Sequence, residues 1–287
     1  MLVRAPASSA NLGPGFDTLA VALARYLEVE VTPADRLSVS TEGDGADLPQ
    51  DAGHLAARVA SMVLGHDRVD IRVKSEVPVA RGMGSSAALA VATAVACGAP
   101  DPLAVATEVD GHAENGAASV LGGLVAATEI AGHPVAVRLP LDPGLSFVAL
   151  VPSRPLPTAR ARQALPAQVP LADAAFNLGR MGVLIAGLGD RRLLLHHASD
   201  DRLHQGARAP LFPESGHLLT GLVEAGALAA CWSGAGPSLL GICASEAGAT
   251  LREAGEELLS RVGVPGHALL LEADLEGLVV EDPALQA

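Results

Sequence analysis

Residues 69–97 constrain this chain more than any other stretch. Val69, Ile71 and Val73 alternate with Asp70, Arg72 and Lys74, a pattern that predicts a β-strand with one buried face. A loop containing glycine and proline follows over 78–84. Ser85–Cys97 is rich in alanine and predicts a helix that breaks at Gly98-Ala99-Pro100. A strand that turns through glycines into a helix points the helix's unpaired first-turn amides, and the positive end of its dipole, at the turn. Gly82 and Gly84 let the backbone bend sharply and approach a ligand with no Cβ in the way. Ser85 and Ser86 stand where the helix begins, so hydroxyls join the amides in a candidate anion site, and a serine there can also ligate Mg2+. A plain glycine turn closed by a serine cap gives the same pattern.

Composition narrows the chemistry. Lys74 is the only lysine, and it lies in Arg72-Val73-Lys74-Ser75. A loop of the form G-x-x-x-x-G-K-[ST] is therefore excluded, and protein-kinase chemistry has no strand lysine or H-R-D loop to run on. If the chain binds a nucleotide triphosphate, backbone amides and arginine must carry the phosphates. A net charge of −13 argues against a nucleic-acid or anionic-membrane surface, and 2% aromatics leave few stacking platforms. With 49% hydrophobic and 18% charged residues, the 287-residue chain can bury a large core in one large or two moderate domains. Cys97, Cys231 and Cys243 are far apart and form no C-x-x-C pair, which predicts reduced thiols in a cytoplasmic protein. Met1–Pro14 contains Arg4 and no apolar signal core, and the weakly polar run Ala87–Cys97 is too short to span a bilayer, so no signal peptide or membrane partner is expected.

Other segments give the layout. Strands are expected at Tyr26–Thr32 and Leu37–Thr41, a helix at His54–Leu64, and another helix from Asp101 toward Val109. Gly122-Gly123 opens strand-like segments that reach Val151. Residues 152–170, rich in proline, arginine and alanine, read as the crossing between two domains, 1–151 and 152–287. Helices at Leu171–Leu188 and Arg191–His197 follow. Strands at Ala227–Trp232 and Ser238–Cys243 flank the turn 233–237, ahead of a helix at Glu246–Val262 and a strand at His267–Glu272. Strand–helix–strand–strand–helix–strand is the order of a ferredoxin-like half, so the chain reads as α+β.

Three segments, in order, resemble the GHMP small-molecule kinases. Pro78, Val79, Ala80, Arg81, Gly82, Met83, Gly84, Ser85, Ser86, Ala87 and Ala88 are similar to the family's ATP loop. Residues 3–19, with Asn11, Gly13, Gly15 and Asp17, resemble its amino-terminal motif, and Cys231–Ser238 its carboxy-terminal glycine motif. The likeness spans nearly the whole chain. It implies the two-domain GHMP kinase architecture, with a ribosomal-protein-S5-like amino-terminal domain and a ferredoxin-like carboxy-terminal one. It also implies ATP bound by residues 78–88 and Mg2+ held by Ser86 and Glu108.

Residues 106–115 are similar to a segment that usually ends Gly-His-Pro-Asp-Asn in the family's homoserine-phosphorylating members. This chain departs from it at Ala113 and Glu114, and Gly116-Ala117-Ala118 replaces the frequent Val-Ala-Pro. Aspartate to glutamate keeps the charge and lengthens the arm. By the same resemblance His112 and Asn115 orient the acceptor, Arg162 and Arg208 clamp its carboxylate, and Thr158 lies near the phosphates. Asn11 and Asp17 hold its hydroxyl and ammonium end. Asn11, Asp17, Asn115 and Arg162 form the implied catalytic set, with Asp17 a candidate proton acceptor. The implied acceptor is L-homoserine, in threonine biosynthesis, and a homodimer is compatible with the resemblance. An arginine fork suits a carboxylate and would be wasted on a neutral sugar. The rivals are another GHMP kinase, acting on an isoprenoid precursor or a sugar, and a non-catalytic sensor on the same fold. Elsewhere the signals are bland. His196-His197 lacks metal-ligand spacing, Ser233 lacks the leading glycine of a nucleophile elbow, and Trp232 reads as packing.

Overall fold

The computed structural model describes residues 1–281. The elements run β1 (Leu2–Ala10), β2 (Leu19–Pro33), β3 (Ser38–Gly43), α1 (Leu55–Leu64), β4 (Val69–Ser75), α2 (Ser85–Ala96), α3 (Pro102–Asp110), α4 (Glu114–Leu121), β5 (Leu124–Ile130) and β6 (His133–Leu139). They continue with β7 (Leu145–Pro152), α5 (Thr158–Gln163), α6 (Leu171–Gly189), α7 (Gln205–Arg208), α8 (Ser215–Glu224), β8 (Ala229–Trp232), β9 (Leu239–Ala244), α9 (Gly248–Arg261), β10 (Gly266–Leu271) and β11 (Val279–Glu281).

The alternation in β4 acts as expected: Val69, Ile71 and Val73 are buried, while Arg72 and Lys74 face solvent. The single lysine thus stands on the outer face of a strand. The first sheet has the order β11-β1-β2-β4-β3, with β5 pairing β2 further along and β6 pairing β5. β2 is 15 residues long because it serves three neighbours, β1, β4 and β5. Its first half shows no alternation because Leu19, Ala20, Val21, Ala22 and Leu23 are all buried, so the sequence reveals only the later part of the strand. The same holds for β1. Helix α2 lies centrally among α1, α3, α4 and the sheet, and its alanines at 87, 88, 90, 92 and 94 are buried. Small side chains are what let a helix sit that closely packed.

The second sheet has the order β10-β7-β9-β8 and is antiparallel throughout. Numbered within this half, that is 4-1-3-2, the ferredoxin-like arrangement. Its first strand is β7, which the division at 151/152 placed with the other half; strand pairing puts the change of sheet before Leu145. The chain then returns to the first sheet, where β11 pairs β1 and Ala273 bridges Leu23. The proline-rich tract marks a surface crossing, not a change of sheet. One hydrophobic core runs through both sheets, joining Leu27 and Ile71 of the first to Phe147, Leu240 and Ile242 of the second. Trp232 packs edge-on against Phe212 in a second cluster, as expected for a core residue.

Two other segments differ from expectation. Residues 191–197 form only a short turn of 3-10 helix at Arg191–Leu193. Asp190 leaves helical geometry and its carboxylate accepts the Arg192 amide, an alternative to continuing the helix. Helix α6, at 19 residues, is long and apolar enough to cross a membrane by length and composition, which the run at 87–97 did not anticipate. In the fold its Leu184 and Leu188 enter the shared core, and its Asn177 donates to Asp201.

Candidate active site

A cavity of about 690 Å³ opens between the phosphate-type loop, the amino-terminal loop and α5. Gly84 takes a left-handed conformation (φ 68°) immediately before α2, and the first helical bond is Ala88 N–H to Gly84 O at 2.9 Å. The amides of Ser85, Ser86 and Ala87 are therefore left without helical partners at the cavity wall. A Cβ at Gly84 would fall 2.0 Å from Ser8 Oγ, and one at Gly82 would fall 2.2 Å from the Ser233 carbonyl oxygen.

The close approach at Gly82 explains the third glycine motif. Ser233 Oγ donates to the Gly82 carbonyl at 2.6 Å and lies 2.8 Å from Ser9 Oγ. The Ser238 amide donates to Arg81 O at 3.2 Å and the Gly234 amide to Ala10 O at 2.9 Å. The motif at 233–238 thus braces the phosphate-type loop from behind. Gly82→Ala should raise the KM for the phosphoryl donor about tenfold, since left-handed strain and a backbone clash both push the loop out of place. Initial rates over a donor titration check this, and an unchanged KM would contradict the brace. Arg81, which also lines the cavity, has its side chain engaged: Nε donates to Pro152 O at 2.8 Å, Nη1 to Val79 O at 2.9 Å and Nη2 to Ser153 O, so it ties the loop to the second sheet.

The two residues expected to hold the metal, Ser86 and Glu108, line different clefts. Ser86 Oγ donates to Asp110 Oδ1 at 2.7 Å. Glu108 lines a neighbouring cleft with Thr128, Glu129 and His133, which shares Asp17 and His112 with the main cavity but does not include Ser86. Two residues along a helix turn a side chain by about 200°, so Glu108 and Asp110 cannot share a face. Burial pushes the Asp110 carboxyl above its ordinary pKa, opposed by the Ser86 hydrogen bond and by His112. A hydroxyl and a carboxylate beside free amides form a hard-oxygen pair of the kind Mg2+ takes when phosphate and water complete its shell.

At the far end of the cavity Asn11 (φ 70°) and Asp17 (φ 51°) hold left-handed conformations. Asn11 is committed at both ends of its amide: Nδ2 donates to Gly234 O at 2.8 Å and Oδ1 accepts the Asp17 amide at 3.0 Å. Asp17 receives both Nη groups of Arg162 at 2.7 Å each, and that pairing holds the Arg162 guanidinium above its ordinary pKa. Asn115 Oδ1 accepts Ser8 Oγ at 2.8 Å and its Nδ2 donates to Glu114 Oε1 at 3.2 Å, so it knits α4 to β1. His112 Nδ1 stands 2.8 Å from Glu114 Oε1; burial pulls its pKa down, and the Glu114 contact outweighs that for a net rise. Glu114 is 1% exposed, and its Oε2 has no hydrogen-bond partner among the described residues.

Arg208 is also 1% exposed. Its Nη1 donates to Gly234 O at 3.1 Å and meets His204 Nδ1 at 3.0 Å, and its Nε donates weakly to Ala161 O at 3.5 Å. No hydrogen bond from Nη2 forms among the described residues, and Arg208 lines the cavity. Burial, then the nearby Arg162, lowers its pKa to about 10. Arg162 and Arg208 each approach the Phe16 ring to 5.6 Å, so the two guanidinium groups share one aromatic neighbour. Thr158 begins α5 at the cavity wall. Arg160 points to solvent, and Arg202 pairs with Asp173 and covers Phe176, so neither joins the site. The structure thus gathers Asn11, Asp17, His112, Asn115, Thr158, Arg162 and Arg208 around one cavity. Sequence reasoning missed Asp110 and the orphaned oxygen of Glu114. Asp110 could have been found from its place directly before Gly111-His112.

A loop of free helix-start amides opposite a pair of guanidinium groups is the layout of a small-molecule phosphotransferase site. Residues 52–123 match the family model for the GHMP kinases N terminal domain, and residues 184–258 the one for GHMP kinases C terminal. The chain belongs to the GHMP kinase family. Its similar relatives include a homoserine kinase of Thermus thermophilus, 43% identical over 264 residues, covering 88% of this chain and 87% of the relative. Another, from Deinococcus radiodurans, is 40% identical over 301 residues, covering 97% and 96%. The crystal structure of homoserine kinase from Cytophaga hutchinsonii superposes with a TM-score of 0.84 at 27% identity, covering 98% of this chain and 97% of that one.

Proposed function

We propose that this chain transfers the γ-phosphoryl group of ATP to the side-chain hydroxyl of L-homoserine, giving O-phospho-L-homoserine and ADP. The observation that carries this reading is the acceptor end of the cavity, where two guanidinium groups stand beside a buried carboxylate oxygen with no partner among the described residues. Homoserine offers a carboxylate for the Arg208 Nη2 and Arg162, and an ammonium for Glu114 Oε2 and Asp17. Its hydroxyl then extends toward Ser86 and the loop amides. The similarity to homoserine kinases over most of the chain supports the same acceptor.

In the reaction the hydroxyl oxygen bonds to the γ-phosphorus while the bond from that phosphorus to the β,γ-bridging oxygen breaks, and the hydroxyl proton is released to water. The free amides of Ser85, Ser86 and Ala87 hold the phosphate oxygens without a lysine. Mg2+ held by Ser86 and Asp110 would neutralise charge on those oxygens. Asp17, with both oxygens in the Arg162 fork, positions that guanidinium and is poorly placed to take a proton. A loose phosphoryl transition state asks little of a base, so positioning carries most of the work. The reading includes threonine biosynthesis as the setting and the cytoplasm as the compartment, where the free thiols Cys97, Cys231 and Cys243 stay reduced. Mass analysis of the product after incubation with ATP, Mg2+ and homoserine tests the proposal: one phosphoryl group on homoserine supports it, and unmodified homoserine sinks it.

A further inference from the structure

His204 is completely buried and is not part of the cavity wall, yet it joins two parts of the acceptor site. Its Nε2 lies 2.8 Å from the Gly13 carbonyl oxygen, which can only accept, so Nε2 carries the proton. Nδ1 therefore has a free lone pair, and Arg208 Nη1 donates to it at 3.0 Å. One tautomer satisfies both contacts. The Phe16 ring stacks on the imidazole at 5.2 Å and 26°.

The backbone that carries the imidazole is held in turn. Asp201 Oδ2 accepts the amides of His204 and Gln205 at 2.8 and 2.7 Å, and its Oδ1 accepts Asn177 Nδ2 from α6 at 2.7 Å. Gln205 Oε1 in turn accepts the Trp232 amide at 2.7 Å. Burial lowers the His204 pKa to about 4, so the ring stays neutral beside Arg208 despite Asp201.

We infer that His204 is a positioning residue for acceptor recognition: its imidazole ties Arg208 to the Gly13 carbonyl, so the guanidinium that reads the acceptor carboxylate and the Asn11–Asp17 loop keep one register. The inference rests on the assignment of Arg208 to that carboxylate. His204 touches neither substrate; it acts by leaving Arg208 only Nη2 to offer, in one direction.

The test compares homoserine with 3-aminopropan-1-ol, which lacks the carboxylate. His204→Gln can reach Gly13 with an N–H but offers no lone pair at the Nδ1 position. It should raise the KM for homoserine about tenfold and leave kcat and the KM for ATP within about twofold. The ratio of kcat/KM between homoserine and 3-aminopropan-1-ol should fall by the same factor. His204→Asn, whose Oδ1 sits near the Nδ1 position, should restore most of that ratio. Equal losses on both acceptors, with the ratio unchanged, would overturn the inference. Arg208→Lys separates the two levels: a collapsed ratio there with an intact ratio in the His204 variants defeats this inference alone, and an intact ratio in Arg208→Lys defeats the assignment beneath it. Nitrogen NMR of the unmodified protein needs no variant to fold. A protonated Nε2 and an unprotonated Nδ1 that shifts on adding homoserine, and not on adding 3-aminopropan-1-ol, supports the role. A protonated Nδ1, or no shift, overturns it.

Discussion

Asp110→Asn is expected to lower kcat/KM by about two to three orders of magnitude, while Glu108→Gln leaves it within about twofold. Both carboxylates sit near the end of α3, and only the geometry separates them. Asp110 receives the Ser86 hydroxyl at 2.7 Å at the mouth of α2, where the donor's phosphates would meet a metal ion. Glu108 lines the adjoining cleft, which Asp17 and His112 share but Ser86 does not. Asparagine keeps the shape and the oxygen but loses the charge that a hard divalent cation needs. The half-saturating Mg2+ concentration should therefore rise in Asp110→Asn and stay put in Glu108→Gln. Initial rates over a Mg2+ titration read both effects. Equal losses in the two variants would contradict the assignment.

Arg208→Lys is the second large effect, and it should raise the KM for homoserine about a hundredfold with the KM for ATP little changed. The ammonium is a compact donor that cannot reproduce a planar fork. Arg208 spends Nε on Ala161 and Nη1 on Gly234 and His204, leaving Nη2 for a ligand. Lysine cannot hold those carbonyls and still present a second donor to the cavity. A thermal melt close to that of the unsubstituted protein shows that the variant is folded, and steady-state kinetics then assign the loss to binding. A hundredfold loss spread equally over both substrates would point to a disturbed fold instead.

Much of this architecture was legible in the sequence wherever a segment has one covered face. β4 shows its period plainly, the helix after the glycine loop shows itself by its alanine content and the break at Gly98-Ala99-Pro100, and the loop's glycines sit where left-handed turns are needed. β1, the first half of β2 and β7 were obscured or misassigned because layers cover both of their faces, which erases alternation. The ferredoxin-like order was legible, but its first strand lay inside the part assigned to the other half. In the site, flanking motifs singled out from eighteen arginines the two that line the cavity, Arg162 and Arg208, and passed over Arg160 and Arg202, which do not. Spacing along a helix should have separated Glu108 from Asp110, since side chains two apart face nearly opposite ways. The roles of Ser9, Ser233 and His204 were not legible at all. They depend on chain segments between 151 and 224 residues apart meeting at Gly82, Ser9 and Gly13.

The central claim is that the lysine-free loop delivers a phosphoryl group to an amino-acid hydroxyl. ADP release measured in parallel with homoserine, serine, mevalonate and galactose tests it most directly. The account predicts the highest kcat/KM for homoserine, a weaker rate for serine with its shorter arm, and background rates for mevalonate and galactose. Turnover of mevalonate or galactose with none of homoserine would contradict it.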